Sequence, residues 1–162
     1  MPPRLSVIGT GYLGATHAAC MAELGFEVIG LDVDPAKVEL LRSGTVPFYE
    51  PGLDEVLARN IEASRLRFTT SFEEVGAFAD VHFICVGTPT TETGEANLYY
   101  VDKVAGEVGA LLAEPKIVVE KSTVPVRTGA CVRRAIERSS GTSDFEVVSN
   151  PEFLREGSAV ED

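Results

Sequence analysis

The stretch that most restricts what this chain can fold into is LSVIGTGYLGATHAACMAEL, Leu5 to Leu24. An apolar run of strand length, LSVI, leads straight into GTGYLG, and from Tyr12 to Leu24 the apolar residues recur with helical period. Three glycines so close together arise often by chance, so their meaning lies in where they stand. Gly9 permits a sharp turn, Gly11 leaves no Cβ where a ligand would approach the backbone, and Gly14 lets the helix pack closely on the strand. A second apolar run, Glu27 to Leu31, follows and ends at Asp32. Strand, glycine turn, helix, strand and acid in that order predict one half of a doubly wound nucleotide-binding sheet.

This unit carries specific chemistry. The N-terminus of the first helix offers unpaired N–H groups and a partial positive charge to a pyrophosphate. Asp32 is placed to accept hydrogen bonds from the adenosine ribose, and its charge would repel a 2′-phosphate, so NAD is favoured over NADP. The plainer alternative makes Asp32 an ordinary strand-end residue and the glycines packing devices. Beyond this unit, strand-length runs recur at Leu66–Thr69, Val81–Val86, Lys116–Val119 and Phe145–Val148. Helical periodicity covers Pro35–Arg42, Gly52–Ile61, Phe72–Phe78, Leu98–Leu112 and Thr128–Arg138. About six strands thus alternate with six helices. That alternation predicts an α/β fold with a doubly wound, Rossmann-type, mostly parallel sheet covered by helices on both faces. Gly25 suits the end of the first helix and Pro35 the start of the second. SGTVPFYEP, Ser43 to Pro51, has neither period and reads as an ordered loop carrying exposed aromatics, a type of loop that often touches ligands.

Composition narrows the function. With 162 residues the chain suits a single domain, and no apolar run nears the roughly 18 residues that span a bilayer, so no membrane partner is expected. MPPRL lacks the features of a secretory leader, which argues for a cytoplasmic protein. The formal charge of −11 would repel a phosphate backbone, excluding nucleic acid as the expected partner. Cys20, Cys85 and Cys131 lie far apart without CxxC spacing and read as buried thiols. His17 and His82 have no metal-ligand spacing, so no metal site is expected. Tyr99 and Lys103 form a YxxxK pair of the kind used by short-chain dehydrogenases, but TGxxxGxG is missing, and the simpler reading is two surface neighbours on a helix.

Three further stretches stand where a strand gives way to a loop at the sheet's carboxyl edge: CVGTPTTETGE, EKSTVPVRTG and SNPEFLREGS. Together with GTGYLG, LDVD and PFYEPGL, in this order and over essentially the whole chain, they resemble the N-terminal domain of the UDP-glucose/GDP-mannose dehydrogenase family. The UDP-glucose-oxidising branch is nearest in overall likeness. The resemblance implies an NAD site at Gly9, Gly11, Tyr12, Leu13, Gly14, Asp32 and Lys37. Val86, Gly87, Thr88, Pro89 and Thr90, with Ser122 and Thr123, would lie near the nicotinamide half. It also implies that Glu152, Phe153, Leu154, Arg155 and Glu156 hold a UDP-sugar, with Glu156 approaching the cofactor as well. Arg155 stands where relatives vary and receives no specific bond.

The family oxidises a sugar's primary alcohol to a carboxylate in two NAD-linked steps, through a thioester on cysteine. The catalytic candidates here are Thr123, which would orient water or the reacting centre, Glu152, which would activate the water, and Glu156. Read without the resemblance, a glutamate cap and an ST-turn at Ser122 and Thr123 serve as well. In the family the nucleophilic cysteine, a linking helix and most UDP contacts lie beyond residue 162, so residues 1–162 are expected to be the dinucleotide-binding domain and to be inactive alone. The resemblance implies a homodimer or higher assembly for a complete enzyme, formed through that helix. The isolated domain would then be a monomer or would associate by another surface. A GDP-mannose or UDP-N-acetylhexosamine dehydrogenase, or a stand-alone NAD-binding module, are the alternatives.

Overall fold

The computed structural model describes residues 2–112 and 115–162. Its elements, in chain order, are β1 (Leu5–Ile8), α1 (Tyr12–Glu23), β2 (Val28–Leu31), α2 (Pro35–Arg42), α3 (Leu53–Glu62), β3 (Leu66–Thr69), α4 (Phe72–Phe78), β4 (Val81–Ile84), α5 (Tyr99–Leu111), β5 (Lys116–Glu120), α6 (Thr128–Ser139) and β6 (Phe145–Ser149). These are the elements the periodicity predicts. Several boundaries differ by one residue, and that of β4 by two. β4 stops at Ile84 rather than Val86, although the Cys85 N–H still donates to Ile8 O at 2.8 Å. Residues 85 and 86 turn toward the carboxyl edge, where the loop becomes part of a cleft.

The six strands form one sheet in the order β3-β2-β1-β4-β5-β6. Every pairing is parallel, with Leu5 of β1 opposite both Val28 of β2 and Val81 of β4. Alternate side chains along a strand face opposite sides, and both sides are covered. On one side Leu5, Val7 and Val28 pack with the buried faces of α1, α2 and α3; on the other Ile8, Ile29, Leu31 and Ile84 pack with α4, α5 and α6. Each fully buried Leu, Ile or Val contributes on the order of 1.5–3 kcal/mol, which is why near-continuous apolar strands were the legible part of the chain.

The order also locates the site. From β1 the chain winds outward through β2 and β3, then returns to β4 on the opposite flank of β1 and winds away. The carboxyl ends of β1 and β4 therefore diverge into loops that leave in opposite directions, and a crevice opens between them.

Candidate functional site

The glycine turn is shaped by contacts that only glycine tolerates. Gly9 has φ +93°, and a Cβ there would stand 2.7 Å from Cys85 O. At Gly14 a Cβ would come within 1.8 Å of Gly9 O, so the start of α1 rests directly on the turn that precedes it. Gly11 differs: among the described residues nothing lies within 4 Å of where its Cβ would be. The absent side chain leaves open space beside the helix N-terminus, and Gly11, as N-cap, has no side chain to occupy the first-turn N–H groups. An anion can reach them.

Asp32 lies at the tip of β2, only 7% exposed. Its Oδ2 accepts from Thr10 N at 3.0 Å, Thr10 Oγ1 at 3.0 Å and Lys37 Nζ at 2.9 Å, while Oδ1 accepts from Asp34 N at 3.1 Å. Burial pushes its carboxyl up, but the Lys37 ammonium and the Thr10 and Asp34 amides outweigh that and hold it below the usual carboxylate range. It is an anion with one oxygen still able to accept. Asp34 in turn caps α2 through Ala36 N and Lys37 N, which sets the direction from which Lys37 reaches back.

These groups line a cleft of about 640 Å3, within the range of small-molecule and cofactor sites. Of the expected cofactor residues, Gly9, Gly11, Asp32, Lys37, Val86, Gly87 and Pro89 line it. Gly14 lies beneath the floor, Leu13 packs into the α1-side core, and Tyr12 turns its ring away toward Phe48, with centroids 5.1 Å apart. The far wall was not anticipated. Phe72 and Glu73 at the start of α4, and Tyr100, Lys103 and Glu107 on α5, complete the cleft. Lys103 reaches it, whereas Tyr99 does not line it and is 62% exposed, so the YxxxK pair is not gathered at one site. No local pattern marks these residues; they arrive because β4 returns beside β1.

A second group of loops adjoins the cleft along the same sheet edge. Thr88 Oγ1 donates to Thr123 O at 2.8 Å, tying the loop after β4 to the loop after β5. Lys121 Nζ donates to Asn150 Oδ1 at 3.0 Å, tying the latter to the loop after β6. Ser122 is buried: its hydroxyl donates to Ile84 O at 3.3 Å and its N–H to Glu120 Oε1 at 2.9 Å. Thr123 is exposed beside it. Thr90 pairs with Ala96 in an isolated bridge. Glu152 is half-buried, and its Oε2 accepts from Leu154 N at 2.7 Å. Phe153 is 87% exposed, Glu156 is exposed, and Arg155 is held by Asp162 through N and Nη2 at 2.9 and 2.5 Å. Glu120, fully buried, was not anticipated either. One of its oxygens has no partner among the described residues, and burial pushes its carboxyl above the usual range.

Of the three thiols expected to be buried only Cys85 is; Cys20 and Cys131 are half-buried on their helices, and Arg134 Nη2 donates to Cys131 Sγ at 3.2 Å. Burial pushes Cys85 up to about 12 and raises Cys20 as well, leaving both as unreactive thiols. Among the described residues no group of three or more His, Cys, Asp or Glu side chains could hold a metal ion. No described helix is long and apolar enough to cross a membrane.

Fold and cleft together define a dinucleotide-binding domain of the doubly wound type. Comparison with known proteins carries this to a family: residues 3–162 match the UDP-glucose/GDP-mannose dehydrogenase family, NAD binding domain. The chain is 45% identical over 160 residues to the UDP-glucose 6-dehydrogenase TuaD of Bacillus subtilis, covering 98% of this chain and 35% of the relative. It is 48% identical over 163 residues to a UDP-glucose 6-dehydrogenase of Pseudomonas aeruginosa, covering 98% and 36%. Among solved structures, a UDP-glucose dehydrogenase from Pyrobaculum islandicum superposes with a TM-score of 0.96 at 48% identity, covering 100% of this chain and 38% of that one. A GDP-mannose dehydrogenase from Pseudomonas aeruginosa gives 0.94 at 42% identity, covering 98% and 38%. The chain belongs to the UDP-glucose/GDP-mannose dehydrogenase family, as its NAD-binding domain. NAD is its cofactor, and the open space at Gly11, the capless helix N-terminus and the free lone pair on Asp32 fit that molecule. The chain spans little more than a third of the length of these relatives.

Proposed function

We propose that this domain serves an enzyme that oxidises C6 of UDP-glucose to the carboxylate of UDP-glucuronate. The observation that carries the reading is the joining of the three carboxyl-edge loops, through Thr88–Thr123 and Lys121–Asn150, beside a cleft whose floor is the glycine turn. Bound NAD supplies the acceptor for each hydride. The chain's own groups bind and orient. The first turn of α1 holds the pyrophosphate, Asp32 and Lys37 the adenosine ribose, and the backbone of 86–90 with Ser122 and Thr123 borders the nicotinamide end. Leu13 and Gly14 contribute backbone amides. Glu152 to Glu156 present backbone and carboxylates to the nucleotide sugar, with Phe153 exposed for contact and Glu156 facing both ligands.

A carboxylate within hydrogen-bond reach of water can take its proton, and Glu152 is the group proposed for that step, with Thr123 orienting the water. Glu152 would exchange its bond to Leu154 N for one to water. The nucleophilic cysteine belongs to the remaining two thirds of the enzyme, since burial raises the Cys20 and Cys85 thiols and Cys131 sits on α6, outside the residues that line the cleft. Dimerisation through a linking helix and a cytoplasmic location belong to the same proposal. Relatives acting on GDP-mannose are also close, at 39–41% identity over 166 residues, and the UDP-glucose enzymes stand somewhat higher at 42–48%.

The test is calorimetry and spectrophotometry. The isolated chain is expected to bind NAD and to form no NADH from UDP-glucose. The full-length enzyme is expected to form NADH faster with UDP-glucose than with GDP-mannose. The reverse preference would replace the sugar, and NADH formation by the isolated chain would overturn the absence of its nucleophile.

A further inference from the structure

The loop 43–51 does not line the cleft, yet its last residue but one is unusually well connected. Glu50 is only 6% exposed. Its Oε2 accepts from the Tyr12 hydroxyl at 2.5 Å and from Gly157 N at 2.8 Å, and its Oε1 accepts from Ala159 N at 2.8 Å. One carboxylate thereby joins three distant parts of the chain: the first turn of α1 beside Gly11, the loop before α3, and the turn that follows Glu152–Glu156. Phe48 reinforces the first link by packing its ring against Tyr12.

The turn is built to receive an anion. Gly157 has φ +88°, in the left-handed region, and the N–H groups of 157 and 159 reach one carboxylate, one at each oxygen, as in the backbone nests that bind anions. The occupant is the chain's own carboxylate. The turn is also tied to the preceding segment, since Ser158 N donates to Arg155 O at 3.0 Å and Asp162 holds the Arg155 backbone and guanidinium. An apolar side chain at position 50 would bury similar area, but it would not choose one orientation of the turn. Directional hydrogen bonds to a buried carboxylate do.

We infer that Glu50 is a positioning residue: its carboxylate fixes the turn 157–160, and with it the Glu152–Glu156 segment, relative to the dinucleotide helix. Its effect on catalysis rests on the nucleotide-sugar dehydrogenase reading above; the link itself does not. Tyr12 therefore acts through its side chain as well as its backbone. Burial and the bond to Glu50 push its phenol up to about 12, while the Tyr12 hydroxyl and the backbone amides hold Glu50 below the usual range. The phenol donates and the carboxylate accepts throughout the neutral range.

Two variants separate the parts. In this chain, Glu50→Gln turns one acceptor into a donor facing the nest, and amide exchange at Gly157 and Ala159 is expected to quicken at least tenfold, with the strand amides of Val7 and Ile84 unchanged and NAD affinity within threefold of wild type. Tyr12→Phe cuts only the link to α1, and exchange at Gly157 and Ala159 should stay within about twofold. In the full-length enzyme both variants should lose kcat, about tenfold for Glu50→Gln and several-fold for Tyr12→Phe, with KM for NAD unchanged in Glu50→Gln. A role confined to local stability would spare kcat in Tyr12→Phe. Unaltered exchange in a folded Glu50→Gln, or unaltered kcat in Tyr12→Phe, would overturn the inference. If Glu50→Gln does not fold, the kcat of Tyr12→Phe decides. If the wild-type enzyme oxidises no nucleotide sugar, the functional reading falls while the exchange measurements still decide the link.

Discussion

Lys37 places its ammonium 2.9 Å from Oδ2 of Asp32, from the first turn of α2 to the tip of β2. With Thr10 donating to the same oxygen twice, Oδ2 has its full complement of donors, and Oδ1, which accepts from Asp34 N, is the atom left to meet a ribose hydroxyl. Hydrogen bonds to charged groups are worth about 1.5–3 kcal/mol. Asp32→Ala is therefore expected to weaken NAD roughly tenfold or more and to narrow the preference for NAD over NADP. Titration of both dinucleotides checks this, and unchanged NAD affinity would remove Asp32 from the site.

The glycines of the turn separate fold from binding. Gly11→Val points a side chain into open space, so the melting curve should be near wild type while NAD binding is abolished. Gly14→Ala drives a methyl into Gly9 O and is expected to cost stability severely, with loss of cooperative unfolding. Circular dichroism and calorimetry on the two proteins give opposite patterns if the turn works as described.

The half-buried His17 and the buried His82 set an acid limit. Burial, aided by Lys121 near His17 and Lys116 near His82, lowers both from 6.5 to about 4. The Nε2 atoms have no partner among the described residues, and His82 Nδ1 bonds Ser6 Oγ at 2.7 Å. Between pH 6.5 and 4 the unfolded chain takes up protons that the folded chain refuses, so stability falls as the pH drops through that window. The slope is about 1.4 kcal/mol per pH unit for each histidine. The carboxylates held low, Glu23 at about 2 with Asp32, Glu50, Glu73 and Asp162, lose their contribution only below about pH 4.5, while Glu120, pushed up by burial, works in the opposite direction to the two histidines. Urea unfolding at pH 7, 6 and 5 should show midpoints moving down; a flat series would mean that neither ring is buried in its neutral form.

Thr123→Ala and Glu152→Gln address the chemistry. In the full-length enzyme each should slow turnover while sparing NAD affinity, by about 10²–10⁴-fold for the proposed base. Normal kcat in either variant takes that residue out of the mechanism.

Thiol reactivity offers a simpler check. Cys85, almost wholly buried under Gly9 and Gly14 with its thiol pushed up to about 12, should resist alkylation at neutral pH in the folded chain and react only on unfolding. Rapid labelling of Cys85 in the native protein would contradict the packing of the glycine turn.

The sheet, its six helices, the glycine turn and Asp32 were legible in the sequence because each is written in local chemistry. Apolar runs buried on two faces, helical periods, a Pro at the start of α2 and glycines at a strand–helix junction all act within a few residues of themselves. The loops at the carboxyl edge could be located, but not what their side chains do. That Ser122 turns its hydroxyl to Ile84 O, that Lys103 and Glu107 wall the cleft, and that Glu50 meets Tyr12 and the 157–160 turn depend on partners up to 109 residues away. Such pairings follow from the strand order β3-β2-β1-β4-β5-β6, which brings the loops after β4, β5 and β6 beside the start of α1. A carboxylate's destination is set by whichever unpaired N–H groups the finished fold presents to it, and residue spacing along the chain carries no record of those.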